Sequence, residues 1–313
     1  MRTLPCYKIP CNVVGQIGNR PPAIACARKA AVINRRAGYH PAPRWLQRLV
    51  LVLLIAVVPV VCALKAEERL AAPGPVRGYH LVFQEDFQHF DLSPDGAGRH
   101  TWYEGVWFNR KRAPLSHISA SASGLSLVWQ RNQEAPDTSI TTLSKDFKNV
   151  RAWRYGYFEV RMKWDLTPGA WPAVWLIPVP DAQGKATYKD TGESGEIDIF
   201  EGQGDHPHTF YGTVHDWQNL HDTPSKENSF LLPENADLSE YHTYGLLWVP
   251  GNVTWYFDNR PLHSEHTPGI LDLQDYFVVI SMQEGADWKA GNLAGVTDSR
   301  MTLTVDWLHV WQK

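Results

Sequence analysis

Three carboxylates, Glu196, Asp198 and Glu201, fall within the run Gly195-Glu-Ile-Asp-Ile-Phe-Glu201, which otherwise reads as a buried β-strand. Burying ionised carboxylates is costly unless they are partnered or protonated, so such a cluster points to chemistry rather than stability. Two glutamates facing one cleft are the equipment of a retaining glycosidase. One carboxylate attacks the anomeric carbon and the other protonates the departing oxygen. An aspartate between them can hydrogen-bond the nucleophile and, by like-charge repulsion, keep a proton on the cluster.

Alternation along a strand puts Glu196 and Asp198 on one face and Glu201 on the other. A β-bulge around Ile199-Phe200 would return Glu201 to the common face. The surrounding segments support a sheet. Leu125–Gln130, Tyr157–Trp164, Tyr244–Val249, Val253–Phe257, Phe277–Ile280 and Met301–Trp311 are rich in β-branched and aromatic residues, with turn residues at Pro250-Gly-Asn252 and Asp258-Asn-Arg-Pro261. The expected fold is all-β, a jelly-roll sandwich of two curved antiparallel sheets with a substrate cleft on the concave face. No fixed-period repeat, G-x-G-x-x-G, Walker lysine motif or H-E-x-x-H is present.

Charge divides the chain. No Asp or Glu precedes Glu67, and the formal charge of −3 combines a basic leader with an acidic body. An acidic body is a poor partner for nucleic acid. Cys6, Cys11, Cys26 and Cys62 all lie in the leader, so the body depends on neither disulfides nor thiolate metal ligands. Residues 1–48 read as a disordered basic leader and 49–66 as the apolar core and cleavage region of a secretory signal, or as a membrane anchor. The uncharged run Leu49–Leu64 follows Arg44 and Arg48 and leads to small residues at Ala63 and Ala66. Either reading places the body outside the cytoplasm, secreted or periplasmic. A Pro/Gly-rich linker, 67–78, precedes a catalytic domain over 79–313. Of 14 tryptophans all but Trp45 lie beyond the leader, a surplus suited to covering the apolar faces of sugar rings.

The bulged form Glu196-x-Asp198-x-x-Glu201 resembles the signature of glycoside hydrolase family 16. Leu81–Phe87, Tyr155–Arg161, Trp171–Trp175, Gly212–His215, His242–Trp248 and Val305–Trp311 resemble further family segments, in family order. The resemblance implies a curved jelly roll with Glu196 as nucleophile, Glu201 as acid/base and Asp198 as the assisting carboxylate. Trp171, Trp175, His215, Trp217, Trp288, Trp107 and Asn109 are the implied substrate-binding residues. A structural calcium on Asp306 of the last strand is the one metal implied, and the reaction requires no cofactor. The bulged motif is similar to laminarinase-like, agarase-like and carrageenase-like members, and the absence of an obvious Arg/Lys cluster disfavours sulfated galactans. The resulting expectation is a monomeric, secreted endo-hydrolase of β-1,3-glucan or mixed β-1,3/1,4-glucan working by double displacement. The alternatives are a transglycosylase on the same machinery and a non-catalytic glucan-binding protein.

Overall fold

The computed structural model describes residues 76–109, 111–131, 133–181, 184–185, 193–218, 221–223, 228–233, 236–285 and 300–313. The basic leader, the apolar run 49–64, all four cysteines and Trp288 lie outside them. Among the described residues no helix is long and apolar enough to cross a membrane.

In chain order the strands are β1 (His80–Glu85), β2 (Tyr103–Glu104), β3 (Ile118–Ser121), β4 (Gly124–Gln130), β5 (Asp137–Thr141), β6 (Ala152–Trp153), β7 (Gly156–Trp164), β8 (Ala170–Pro178), β9 (Glu193–Gly202), β10 (Thr209–Gln218), β11 (His221–Thr223), β12 (Asn228–Leu231), β13 (His242–Val249), β14 (Asn252–Phe257), β15 (Arg260–His266), β16 (Tyr276–Glu284) and β17 (Arg300–Gln312). One sheet has the order β15-β14-β13-β7-β17-β4-β3, with β1 on β17. The other runs β11-β10-β9-β8-β16-β5-β2, with β12 on β10 and β6 on β16. Non-consecutive neighbours such as β7 beside β17 and β8 beside β16 are antiparallel, so the chain repeatedly crosses between the two sheets.

Alternation explains how the sheets meet. On β7, Phe158, Val160, Met162 and Trp164 enter the main core; β13 adds Tyr244, Leu246 and Trp248, and β14 adds Val253, Trp255 and Phe257. The second sheet answers with Val174, Leu176, Ile197, Phe210, Val214, Val278, Ile280 and Met282. The turns fall where sequence chemistry puts them. Gly251 has φ +71° between β13 and β14, and Asp258 and Asn259 have φ 46° and 62° in the hairpin before β15. Consecutive left-handed residues give that hairpin the twist its strands need, and Asp and Asn tolerate the conformation.

Under the carboxylate strand the core is aromatic. Phe200 lies 4.5 Å from the ring of Tyr244, 5.6 Å from Phe210 and 6.2 Å from Trp164, centroid to centroid. Truncating it removes contacts to both sheets and leaves a cavity between rings that cannot collapse. Phe200→Ala is expected to lower unfolding free energy by about 3–5 kcal/mol, measured by denaturant titration.

Candidate active site

Strand β9 breaks its own period where the acids require it. Asp198 is opposite Thr213 and Glu201 opposite Tyr211 on β10, so Ile199 and Phe200 face the single residue Gly212. On the other edge, Asp198 pairs with Trp175 and Phe200 with Val174, leaving Ile199 as the extra residue. This is the expected bulge at the expected place. Ile197, Ile199 and Phe200 all enter the main core, while Glu196, Asp198 and Glu201 line the cleft on the outward face of the second sheet. The bulge is held from the opposite sheet, where buried Trp255 donates Nε1–H to the Asp198 carbonyl at 2.9 Å. Gly212 makes room for that indole; a Cβ there would stand 2.3 Å from Trp255 Nε1.

Each carboxylate meets a ring nitrogen from a different position. Trp217 on β10 donates Nε1–H to Glu196 Oε2 at 2.9 Å. His215 Nε2 lies 2.9 Å from Asp198 Oδ2. Trp171 on β8 donates Nε1–H to Glu201 Oε1 at 3.0 Å. His215 and Trp217 stack with centroids 5.2 Å apart. Burial pushes the Glu201 carboxyl well above the ordinary range, reinforced by the negative charges of Asp198 and Glu196; the Trp171 hydrogen bond and His215 only partly oppose this. The raised carboxyl suits Glu201 to hold a proton at a higher pH than an ordinary glutamate does. Glu196, Asp198 and His215 bring ligand atoms within 4.8 Å of one another, the one such metal-capable group among the described residues.

Register arranges the rest of the cleft in rows across the strands. The row through Glu201 continues as Ala173, Ser281 and Ser139, all small. On one side runs Trp171, Gln283 and Asp137; on the other, Asp198, Trp175, Val279 and Thr141. Small side chains between larger ones make a groove that crosses β9, β8, β16 and β5, and Glu196, Asp198, Glu201, Ala173, Ser281, Gln283 and Asp137 line it.

Of the expected binding residues, Trp171, Trp175 and Asn109 line the groove. His215 and Trp217 contact the acids directly. Trp107 does something else: its Nε1–H donates to the Gly184 carbonyl at 3.0 Å, and its ring packs on Phe277 in a second apolar cluster with Val106, Leu143, Ile177 and Val279. Its neighbour Phe108, 52% exposed, faces the groove instead. Trp288 lies outside the described residues. Phe108, Asp137, Ser281 and Gln283 are groove residues that motif reading passed over. Asp137 lies in a strand whose five residues are all buried, a placement that its local sequence does not announce.

Asp306, the expected calcium ligand, sits at a register shift of β17, and its Oδ2 lies 2.5 Å from Arg161 Nη1. That guanidinium is stacked over Tyr241, 4.6 Å from the ring centroid. A fixed cation already faces the carboxylate, so the donor set at Asp306 does not fit calcium.

Three acids on one face of a groove, one of them with its carboxyl pushed well above the ordinary range, suit the chemistry of a glycoside hydrolase, an enzyme of O-glycosidic bonds. The chain matches the profile of Glycosyl hydrolases family 16 over residues 113–308 and belongs to that family. A β-glucanase of Rhodothermus marinus is 24% identical over 254 residues, covering 75% of this chain and 85% of its own. Glucan endo-1,3-beta-glucosidase A1 of Niallia circulans is 25% identical over 270 residues, 76% of this chain but 38% of its own. The catalytic domain of an endo-1,3-β-glucanase (laminarinase) from Thermotoga petrophila superposes with a TM-score of 0.61 at 20% identity, over 76% of this chain and 99% of that domain. The two-sheet architecture is thus the jelly roll of these enzymes.

Trp255→Phe tests the bulge support. An aromatic ring still occupies part of the site, but the smaller side chain leaves a void and the Asp198 carbonyl loses the indole donor. The expected cost is about 1–3 kcal/mol in stability, with turnover reduced while far-ultraviolet circular dichroism is unchanged.

Proposed function

We propose that this protein is an endo-acting, retaining β-glucanase that cleaves β-1,3-linked or mixed β-1,3/1,4-linked glucan by double displacement. The observation that carries the reading is the asymmetry of the triplet. Glu201 is buried beside two other acids and its carboxyl is pushed well above the ordinary range, whereas Glu196 is only half buried and accepts Trp217 N–H on one oxygen. In the first step the Glu196 carboxylate attacks the anomeric carbon while Glu201 gives its proton to the glycosidic oxygen. The bond to the leaving sugar breaks and a glycosyl ester forms on Glu196. In the second step Glu201, now ionised, takes a proton from water; the hydroxide oxygen bonds to the anomeric carbon and Glu196 departs as carboxylate. Asp198, in contact with His215, is one of the neighbours whose charge raises the Glu201 carboxyl, which favours the acid form that Glu201 regains from water in the second step.

Carboxylates fill both the electron-pair and the proton roles, so the cycle calls for no metal. The names of the relatives support glucan as substrate: one is a β-glucanase, the other two endo-1,3-β-glucan hydrolases. The apolar run 49–64 with its basic flank supports export of the body, by cleavage or with the run retained as an anchor. The body is proposed to act as a monomer.

Glu196→Ala is expected to abolish turnover in a folded protein, and azide should restore cleavage of an activated aryl glycoside with inversion of the anomeric centre. A folded variant that azide fails to rescue would remove Glu196 as nucleophile. For Glu201→Gln, activated aryl glycosides should form the intermediate normally and release it slowly, whereas polymer cleavage should nearly cease. Normal polymer cleavage would contradict the acid role.

The pH profile follows from the raised Glu201 group. Its acid form is lost as pH rises through the elevated value, so kcat/KM should fall on the alkaline side. Asp198→Asn removes one of the charges that raise it, and the alkaline limb should move to lower pH.

A further inference from the structure

A fourth carboxylate lines the groove and has no part in the double displacement. Asp137 opens β5, is 6% exposed, and stands at the end of the row that begins with Trp171 beside Glu201 and passes through Gln283. Its Oδ1 accepts from Asn109 Nδ2 at 2.8 Å, and among the described residues it has no ion-pair partner. The nearby guanidinium of Arg112 is committed elsewhere: its Nη1 donates to the Glu104 carbonyl at 2.9 Å and its Nε lies 3.8 Å from Glu104 Oε2. Desolvation raises the Asp137 carboxyl, opposed by the hydrogen bond from Asn109 and by the charge of the nearby Arg112. A buried acid without a counter-ion is costly, and a structural anchor for the Asn109 loop could have been an amide. The feature that favours a ligand role is its place on the groove wall, with Pro136, Asn109 and Phe108 beside it.

Distance fixes which part of a glycan it meets. From β9 the order is β8, β16 and β5, so Asp137 lies three strand spacings from the triplet, about 14 Å at about 4.8 Å each, the span of about two to three sugar rings. A carboxylate there can accept hydroxyl protons from a neutral sugar and cannot accept a sulfate or carboxylate in the same place. Asn109 donates to one of its oxygens, and a carboxylate has further lone pairs with which to accept from a ligand in the groove it lines.

We propose that Asp137, positioned by Asn109, is a specificity-determining residue of the groove: it hydrogen-bonds the hydroxyls of a neutral sugar about two to three rings from the cleaved bond and rejects anionic glycans there. This rests on the glucanase reading given above. It predicts a length dependence that a merely structural acid would lack, because only chains that reach β5 gain from it.

The test compares wild type, Asp137→Asn and Asp137→Ala on a series of β-1,3-gluco-oligosaccharides of increasing length, a short aryl glycoside, and carboxymethylated against neutral glucan. The expected loss in kcat/KM is about ten- to a hundredfold for oligosaccharides long enough to cross β5, the worth of a hydrogen bond to a charged group. It should be much smaller for the short aryl glycoside. Asp137→Asn, which keeps the shape, should also narrow the preference for neutral over carboxymethylated glucan. Equal losses at every length, or an unchanged preference for neutral glucan in folded Asp137→Asn, would overturn the proposal. Wild-type cleavage of neutral glucan tests the glucanase reading by itself, whereas the variant comparison is a ratio between substrates and can fail independently of it.

Discussion

Everything at this site depends on one extra residue in β9. Without the bulge at Ile199-Phe200, strand alternation would send Glu201 into the core and bring Phe200 out to the groove, reversing two side chains whose burial preferences could hardly be more opposed. The core enforces the irregularity, because Phe200 is gripped by Tyr244, Phe210 and Trp164. The backbone enforces it too. A bulge disrupts the ladder locally, and Trp255 reaches across the sandwich to donate to the Asp198 carbonyl beside it. Packing on the inner face therefore sets the geometry of ionisable groups on the outer one.

That geometry concentrates acidic groups, and among the described residues neighbouring strands meet them with indole and imidazole ring nitrogens. Two indole N–H groups and an imidazole meet the three acids. A lysine or arginine in their place would pull every carboxyl toward ionisation and oppose the raised Glu201 carboxyl on which the proposed acid role depends. An indole donor holds a carboxylate in place while adding no charge. The arrangement explains why aromatic residues crowd this sheet on both faces: on the inner face they fill the core, and beside the triplet they aim N–H groups.

Much of the scaffold was legible in the sequence because alternation is a strong signal when one face is dry. Segments read over Tyr157–Trp164 and Val253–Phe257 became β7 and β14 with at most one residue added at an end. The bulge was legible for a related reason, since three acids at that spacing cannot share a face otherwise. Other parts were not. Trp107 and Phe108 are adjacent on a loop, and only tertiary packing decides that the indole turns inward onto Phe277 while the smaller ring faces the groove. Asp137 follows Pro136 and precedes Thr138-Ser139, a composition that reads as turn chemistry. Its position on a buried strand comes from pairing with β16, a partner far away in the chain. The Asp306 expectation met a local competitor, Arg161, brought alongside by the pairing of β7 with β17.

The division of labour within the triplet is the central claim, and capturing the intermediate tests it most directly. A fluorinated glucoside that forms the glycosyl ester quickly and hydrolyses slowly would be incubated with the wild-type protein, followed by proteolysis and mass mapping of the labelled peptide. The account predicts one sugar per chain, attached to the carboxyl of Glu196. A label on Glu201 or Asp198, or a stoichiometric reaction that leaves no sugar on this strand, would contradict it.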